Sequence, residues 1–279
     1  MQAFFIIFSL FFLKNDKYDI MRIAKVRKMD QKRFVIHGEF NDKLKLQLLN
    51  HGFIYDEKKP EYVFSLGGDG TMLDAIHRYM KLEGVKFVGV NYGKLGFYTD
   101  FVKEDADLVD KIIGDDYKTE EFRLLELSVN GNTYYALNEI LVMNPLHTQD
   151  IEVVINDALL ETFRGTGLVL STPSGSTAYN KSLGGSILAP SIDGYQLTEM
   201  ASINNRIYKT LSSSLVLARE NVARLVFKNT DGLQIQVDGE VLDESDYKEV
   251  IIKLSEKKVK LVTRKDTLFL ERVRKSFLE

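Results

Sequence analysis

Three short stretches of the 279-residue chain combine residue types that could act on a phosphorylated ligand. The first is Gly67-Gly68-Asp69-Gly70-Thr71, between an apolar run and a helical pattern. Glycines there let backbone approach a ligand closely, and the N–H groups of a starting helix favour an anion. A carboxylate in such a place repels a phosphate, so Asp69 points to work on a cation or on an attacking hydroxyl. The bland reading is that Asp69 caps the helix. The second stretch, Ser171-Thr172-Pro173-Ser174-Gly175-Ser176-Thr177-Ala178-Tyr179-Asn180, follows Arg164-Gly165-Thr166-Gly167 and precedes Ser182-Leu183-Gly184-Gly185. Hydroxyls and glycines at that density suit sugar hydroxyls and phosphates, although Pro-Ser-Gly is also ordinary turn chemistry. The third is Asn138-Glu139, an adjacent amide and carboxylate that can grip the edge or sugar of a nucleoside. By itself such a pair is also a common strand end.

These residues need elements to position them, and the chain has two regimes. From residue 33 to about 120, short apolar strands at 33–37, 62–66 and 87–90 alternate with helical patterns at 42–50, 72–82 and 105–113. Such alternation implies a parallel sheet covered on both faces. From about residue 124 the period becomes two. Asn130-Gly131 and Asn156-Asp157 sit between strand-like runs as hairpin turns. Further strands are expected at 168–170, 216–217, 225–227, 233–237, 250–254 and 259–263. The fold class is therefore α/β plus β. Residues 21–123 form a parallel-sheet domain carrying the glycine loop, and 124–255 form a mainly antiparallel β domain.

Composition narrows the chemistry. Lys and Arg total 37 against 40 Asp and Glu, a net charge of −3, which gives no electrostatic reason for a nucleic-acid partner. There is no cysteine, which excludes disulfides and thiolate chemistry and is compatible with a cytoplasmic protein. Four scattered histidines make no metal site. The uncharged run at 4–13 is shorter than the ~20 residues of a membrane span. No Lys or Arg precedes it and no small-residue cleavage site follows, so it does not read as a signal peptide. Residues 1–20 are expected outside the fold, with Met21 and Met29 both suited as starts, and no membrane partner is expected.

In their order and spacing the motifs resemble the NAD kinase family, in its Gram-positive bacterial type. The resemblance rests on Gly67 to Thr71, Asn91-Tyr92-Gly93-Lys94-Leu95-Gly96-Phe97, Leu137-Asn138-Glu139, Phe163-Arg164-Gly165, Thr172 to Tyr179, Leu197 to Asn205 and Val237-Asp238-Gly239. It covers about residues 33–279. The glycine loop alone also occurs in lipid kinases and phosphofructokinases, but its combination with Asn-Glu and the TPSGSTAYN run is specific.

The resemblance implies phosphoryl transfer from ATP or polyphosphate to the 2′-hydroxyl of the adenosine ribose of NAD. Asp69 would accept the proton. A weak base suffices there, because positioning and charge neutralisation dominate phosphoryl transfer. A divalent cation, Mg²⁺ in the first instance, would bridge the donor phosphates, with no protein metal ligand assigned. Gly68, Gly70, Asn138, Glu139, Thr177, Tyr179 and Ser182 would hold the nucleotides, with Phe97, Ser174 and Ala178 beside them. Ala201 and Ile203 would line the pocket, and Arg164 and Asp238 would contribute less. Thr166 stands where many relatives carry Asp, which removes a charge. Homodimers or homotetramers, with part of the NAD site supplied across an interface, and a C-terminal segment 256–279 returning to the first domain are implied too. A lipid kinase would leave Asn138-Glu139 without purpose, and a non-catalytic nucleotide sensor would be expected to lose Asp69.

Overall fold

The computed structural model describes residues 31–93 and 96–279; the apolar run at 4–13, both alternative starts and Lys94-Leu95 lie outside the described residues. Contacts group the chain into two compact units. One ends at Thr119 and includes Val262–Lys265, and the other comprises Glu120–Leu261 with Asp266–Glu279.

In the first unit, β1 (Arg33–Gly38) lies between β2 (Ile54–Tyr55) and β3 (Tyr62–Gly67), β3 pairs with β4 (Lys86–Asn91), and β4 with β5 (Phe101–Val102). All these pairings are parallel. Alternate residues face opposite ways, and that decides the packing. Phe34, Phe64, Leu66, Val88 and Val90 share a cluster with Leu44 and Leu48 of α1 (Asp42–Asn50) and Leu108 and Ile112 of α3 (Leu108–Ile113). The other face meets α2 (Asp69–Tyr79), which buries Met72, Ala75, Ile76 and Tyr79 and packs on β1, β3 and β4. The sheet is thus covered on both faces, as the alternation of strands and helices predicts.

Two helices differ from the sequence expectation. The pattern at 72–82 begins earlier, at Asp69, and ends at Tyr79. The one at 105–113 starts only at Leu108, because the Asp105 carboxylate accepts from Val102 N (2.7 Å) and holds a turn before the helix.

The second unit is antiparallel. One sheet contains β9 (Gln149–Ile155), β10 (Ala158–Gly165), β14 (Val222–Phe227) and β17 (Glu249–Thr263), with β6 (Lys118–Val129) and β7 (Asn132–Ala136) paired to each other. The other sheet runs in the order β13 (Leu215–Ala218), β12 (Gly194–Met200), β11 (Gly167–Ser171), β8 (Glu139–Met143), β15 (Gln234–Val237), β16 (Glu240–Val241). Ile151, Val153, Leu225 and Ile252 from the first meet Ile140, Leu168, Leu197 and Ile235 from the second in one core. Both hairpin turns form as their sequences predict. Asn130 and Gly131 have φ of 49° and 81°, and Asn156 and Asp157 have 49° and 65°, the left-handed pairs such turns need. The runs at 250–254 and 259–263 are one strand, not two. Burial alternates through Val250, Ile252 and Leu254, then slips a residue at buried Ser255, and that phase change is why the sequence reads as a break.

Candidate functional site

The first unit carries a crevice of about 650 Å³ over the carboxyl ends of β1, β3 and β4, where open α/β sheets bind ligands. Gly67, Gly68 and Thr71 form part of its lining, with Gly38 to Phe40 and Asn91 to Gly93 around them. Gly68, not Asp69, is the N-cap of α2, and Asp69 is the first helical residue. The capping reading of Asp69 is therefore corrected. Its carboxylate instead leaves the helix and accepts from two backbone donors, Phe97 N (2.8 Å) and Tyr98 N (3.0 Å). Gly96 makes this approach feasible, because a Cβ there would overlap Asp69 Oδ1. Phe97 is half-buried and serves Asp69 through its backbone. Gly70 faces open space, with nothing near the position a Cβ would take.

The second unit gathers the other residues at the two ends of β11. Antiparallel register places Glu139 opposite Ser171, and Val237 opposite Ile140. Three turns therefore converge at that end. The Asp238 carboxylate accepts from Leu137 N (2.7 Å), Asn138 N (2.7 Å) and Glu139 N (3.1 Å), and Asp238 N returns a bond to Glu139 O. Thr172 N donates to Asn138 O, while the hydroxyls of Thr172 and Ser174 donate to Leu137 O. A Cβ on Gly175 would overlap Asn138 O. Ser174 and Asp238 are thus committed to building the Asn138-Glu139 turn. Glu139 opens strand β8 rather than ending the preceding one. Its carboxyl is pushed up to about 8, by burial first and by the Asp238 charge second. Its Oε2 is buried with no hydrogen-bond partner, the kind of group a bound ligand would satisfy.

Thr177 and Ala178 lead from a short 3₁₀ turn (Gly175–Thr177) into α4 (Tyr179–Ser182), where Tyr179 and Ser182 are exposed. Asn180 is buried and bonds Thr198 Oγ1 (2.7 Å), fixing this turn on β12.

At the opposite end of β11 lie Arg164, Thr166, Ala201 and Ile203. Arg164 holds Asp150 through both carboxylate oxygens (2.9 and 3.0 Å) and stacks on Tyr208, 4.4 Å from the ring centre. Thr166 N donates to Met200 O and Ile203 N to Arg164 O. Ala201 has a left-handed φ of 48°. Sequence reading gave Gly96, Thr172, Gly175 and Asn180 no individual role beyond membership of their motifs. Glycine in an otherwise apolar or hydroxyl-rich run was the only local signal for the first and third. Among the described residues no group of three or more His, Cys, Asp or Glu could hold a metal ion, and no helix is long and apolar enough to cross a membrane.

Residues 19–117 match the ATP-NAD kinase N-terminal domain and residues 136–264 the ATP-NAD kinase C-terminal domain. The chain is 45% identical over 245 residues to "NAD kinase 1" of Bacillus cereus, covering 84% of this chain and 92% of that protein. It is 41% identical over 253 residues to "NAD kinase 1" of Listeria monocytogenes, covering 86% and 96%. Yeast NADH kinase, solved with NADH, is similar in fold at a TM-score of 0.75 and 18% identity, covering 90% of this chain and 89% of that one. An NAD kinase from Archaeoglobus fulgidus, solved with ATP, gives 0.73 and 20%, covering 88% and 99%.

Proposed function

The chain belongs to the NAD kinase family, and from that premise we propose that it transfers the terminal phosphoryl group of ATP to the 2′-hydroxyl of the adenosine ribose of NAD, giving NADP. The observation that carries this reading is the Asp69 carboxylate. It sits in a glycine loop at a helix N-terminus, yet its oxygens are aimed by Phe97 N and Tyr98 N rather than used as a cap. Each oxygen keeps a lone pair beyond the bond it accepts, so the group can take a proton from a hydroxyl delivered to it. Gly68 and Gly70 leave room for phosphates beside it.

Mg²⁺ fits these residues only as a partner of the donor. Among the described residues no cluster of three or more His, Cys, Asp or Glu offers a cage, so the ion would be held chiefly by the donor's phosphates. When bound it would neutralise charge on the transferring group. Polyphosphate could replace ATP, because the loop would read phosphates rather than a base.

The two clusters at the ends of β11 suit the two ends of a dinucleotide. Asn138, Glu139, Thr177, Tyr179 and Ser182 would hold the adenosine, with Asp238 and Ser174 building the turn that presents Asn138 and Glu139. Arg164, Thr166, Ala201 and Ile203 would take the nicotinamide end, across a homodimer or homotetramer interface where the site is shared. The cytoplasm is the proposed location.

The test incubates the purified chain with NAD, Mg²⁺ and either ATP or polyphosphate, reading NADP with an NADP-specific dehydrogenase. Diacylglycerol and sphingosine serve as rival acceptors. NADP formation is expected. Phosphorylated lipid without NADP would make the chain a lipid kinase, and NAD binding without turnover would make it a sensor.

A further inference from the structure

Behind the nicotinamide-end cluster lie two carboxylates that the proposed chemistry does not use. Glu161 comes from β10 and Glu199 from β12. Between them they hold three consecutive residues, 210–212. Glu161 Oε2 accepts from Leu211 N (2.7 Å), and Glu199 accepts from Ser212 N (3.1 Å) and Thr210 Oγ1 (3.1 Å). Glu161 Oε1 is buried and accepts from no donor among the described residues.

The segment so held is 201–212, and it needs holding. Ala201 at its start and Ser212 at its end both have left-handed backbones, with φ of 48° and 51°. Neither residue type favours that conformation. Within the segment, Asn205 Oδ1 accepts from Ile207 N and Tyr208 N, and Asn204 Nδ2 donates to Ser212 Oγ (2.8 Å), so it behaves as one piece. That piece carries Ala201 and Ile203, and Tyr208 stacks on Arg164.

We propose that Glu161 and Glu199 are a positioning pair for the NAD site, clamping residues 210–212 so that Ala201 and Ile203 stay in place. The inference rests on the assignment of those two residues to NAD. No cation among the described residues offsets the charge of Glu161. Among the described residues no Lys, Arg or His nitrogen lies within 4 Å of either carboxylate. Arg164 is bound to Asp150 and Lys228 to Glu152. Arg206 and Lys209, on the segment itself, are exposed. A buried carboxyl without a cation resists ionisation. Burial first, opposed by the Leu211 N–H and reinforced by Glu199, pushes the Glu161 carboxyl up to about 7. A raised acid is held fully below its unfolded value, and the holding is lost as pH climbs through the folded value. The clamp is therefore closed in mild acid and loosens above neutrality.

Glutamine copies the protonated acid: in Glu161→Gln the amide oxygen can still accept from Leu211 N while its N–H donates to Glu199 at every pH. Protection factors for the Leu211 and Ser212 amides, measured by hydrogen exchange on the ligand-free protein from about pH 6 to about pH 8, should fall roughly tenfold in the wild type. They should stay level in Glu161→Gln, or in Glu199→Gln if the first variant folds poorly, and should be low throughout in Glu161→Ala. KM for NAD should follow the same pattern while kcat holds. Protection that ignores both pH and Glu161→Gln would overturn the clamp, whether or not the protein phosphorylates NAD. Protection that responds while KM for NAD does not would overturn its link to the site.

Discussion

At the scale of single residues, Asp69 and Glu139 differ in how their surroundings use charge. Asp69 is held by two backbone N–H donors, so Asp69→Asn is not isosteric in its bonding: one of those donors must face an amide N–H. The variant should lose about 1–3 kcal/mol of stability. It should also lose roughly a hundred- to ten-thousand-fold in kcat, the usual worth of a positioned base. Retention of wild-type kcat in a steady-state assay would leave Asp69 a loop organiser only. Glu139 is the opposite case, a buried carboxyl raised to about 8. Its folded value lies above the unfolded ~4.3, so its contribution to stability is lost as pH rises through about 8. Glu139→Gln should flatten the fall of melting temperature on the alkaline side and raise KM for NAD, and thermal melts across that range check the first half. Equal alkaline slopes in the two proteins would mean that the carboxyl is not buried in solution.

At the scale of elements, the Asn138-Glu139 turn exists because three segments far apart in sequence meet at one end of β11. Asp238 sits about a hundred residues from the amides it holds. Asp238→Asn leaves at least one of the three backbone donors facing an amide N–H, yet it removes the charge beside Glu139, so the apparent value of Glu139 should drop below about 8. Asp238→Ala strands three backbone N–H groups, each worth about 1–3 kcal/mol when buried and unmet. KM for NAD should rise at least tenfold in that variant while KM for ATP moves little. If KM for ATP rises instead, the two clusters have been given the wrong ligands.

At the scale of the whole molecule, the parallel-sheet unit presents one carboxylate over its strand ends, and the β-sandwich unit presents polar turns at the two ends of one short strand. On the proposed reading, the first unit would supply positioning for phosphoryl transfer and the second recognition of the acceptor. The uncharged stretch at 4–13 enters neither argument. Removing residues 1–20 should leave kcat and KM within about twofold and raise the yield of soluble protein, because an apolar run favours association wherever it is exposed. Loss of active protein on that truncation would show that the run packs into the fold or a subunit contact.

The sequence by itself determined much of this. Period and punctuation act within a few residues, so the strand–helix alternation of the first unit and the hairpins at Asn130-Gly131 and Asn156-Asp157 were legible. So were the glycine loop around Asp69 and the motif set that the family match bears out. What local pattern could not carry was everything set by register and packing. A cap was an open alternative for the Asp69 carboxylate because capping is a neighbour's interaction, whereas its backbone donors lie 28 and 29 residues away. Asp238 and Ser174 were legible as site residues, but not that they build the turn that holds Asn138 and Glu139. The strand at 249–263 looked like two because its burial slips phase at Ser255, a shift that only pairing with neighbouring strands makes continuous. Glu161 and Glu199 gave no signal, since two glutamates on separate strands become a pair only when the sandwich brings β10 and β12 to the same segment.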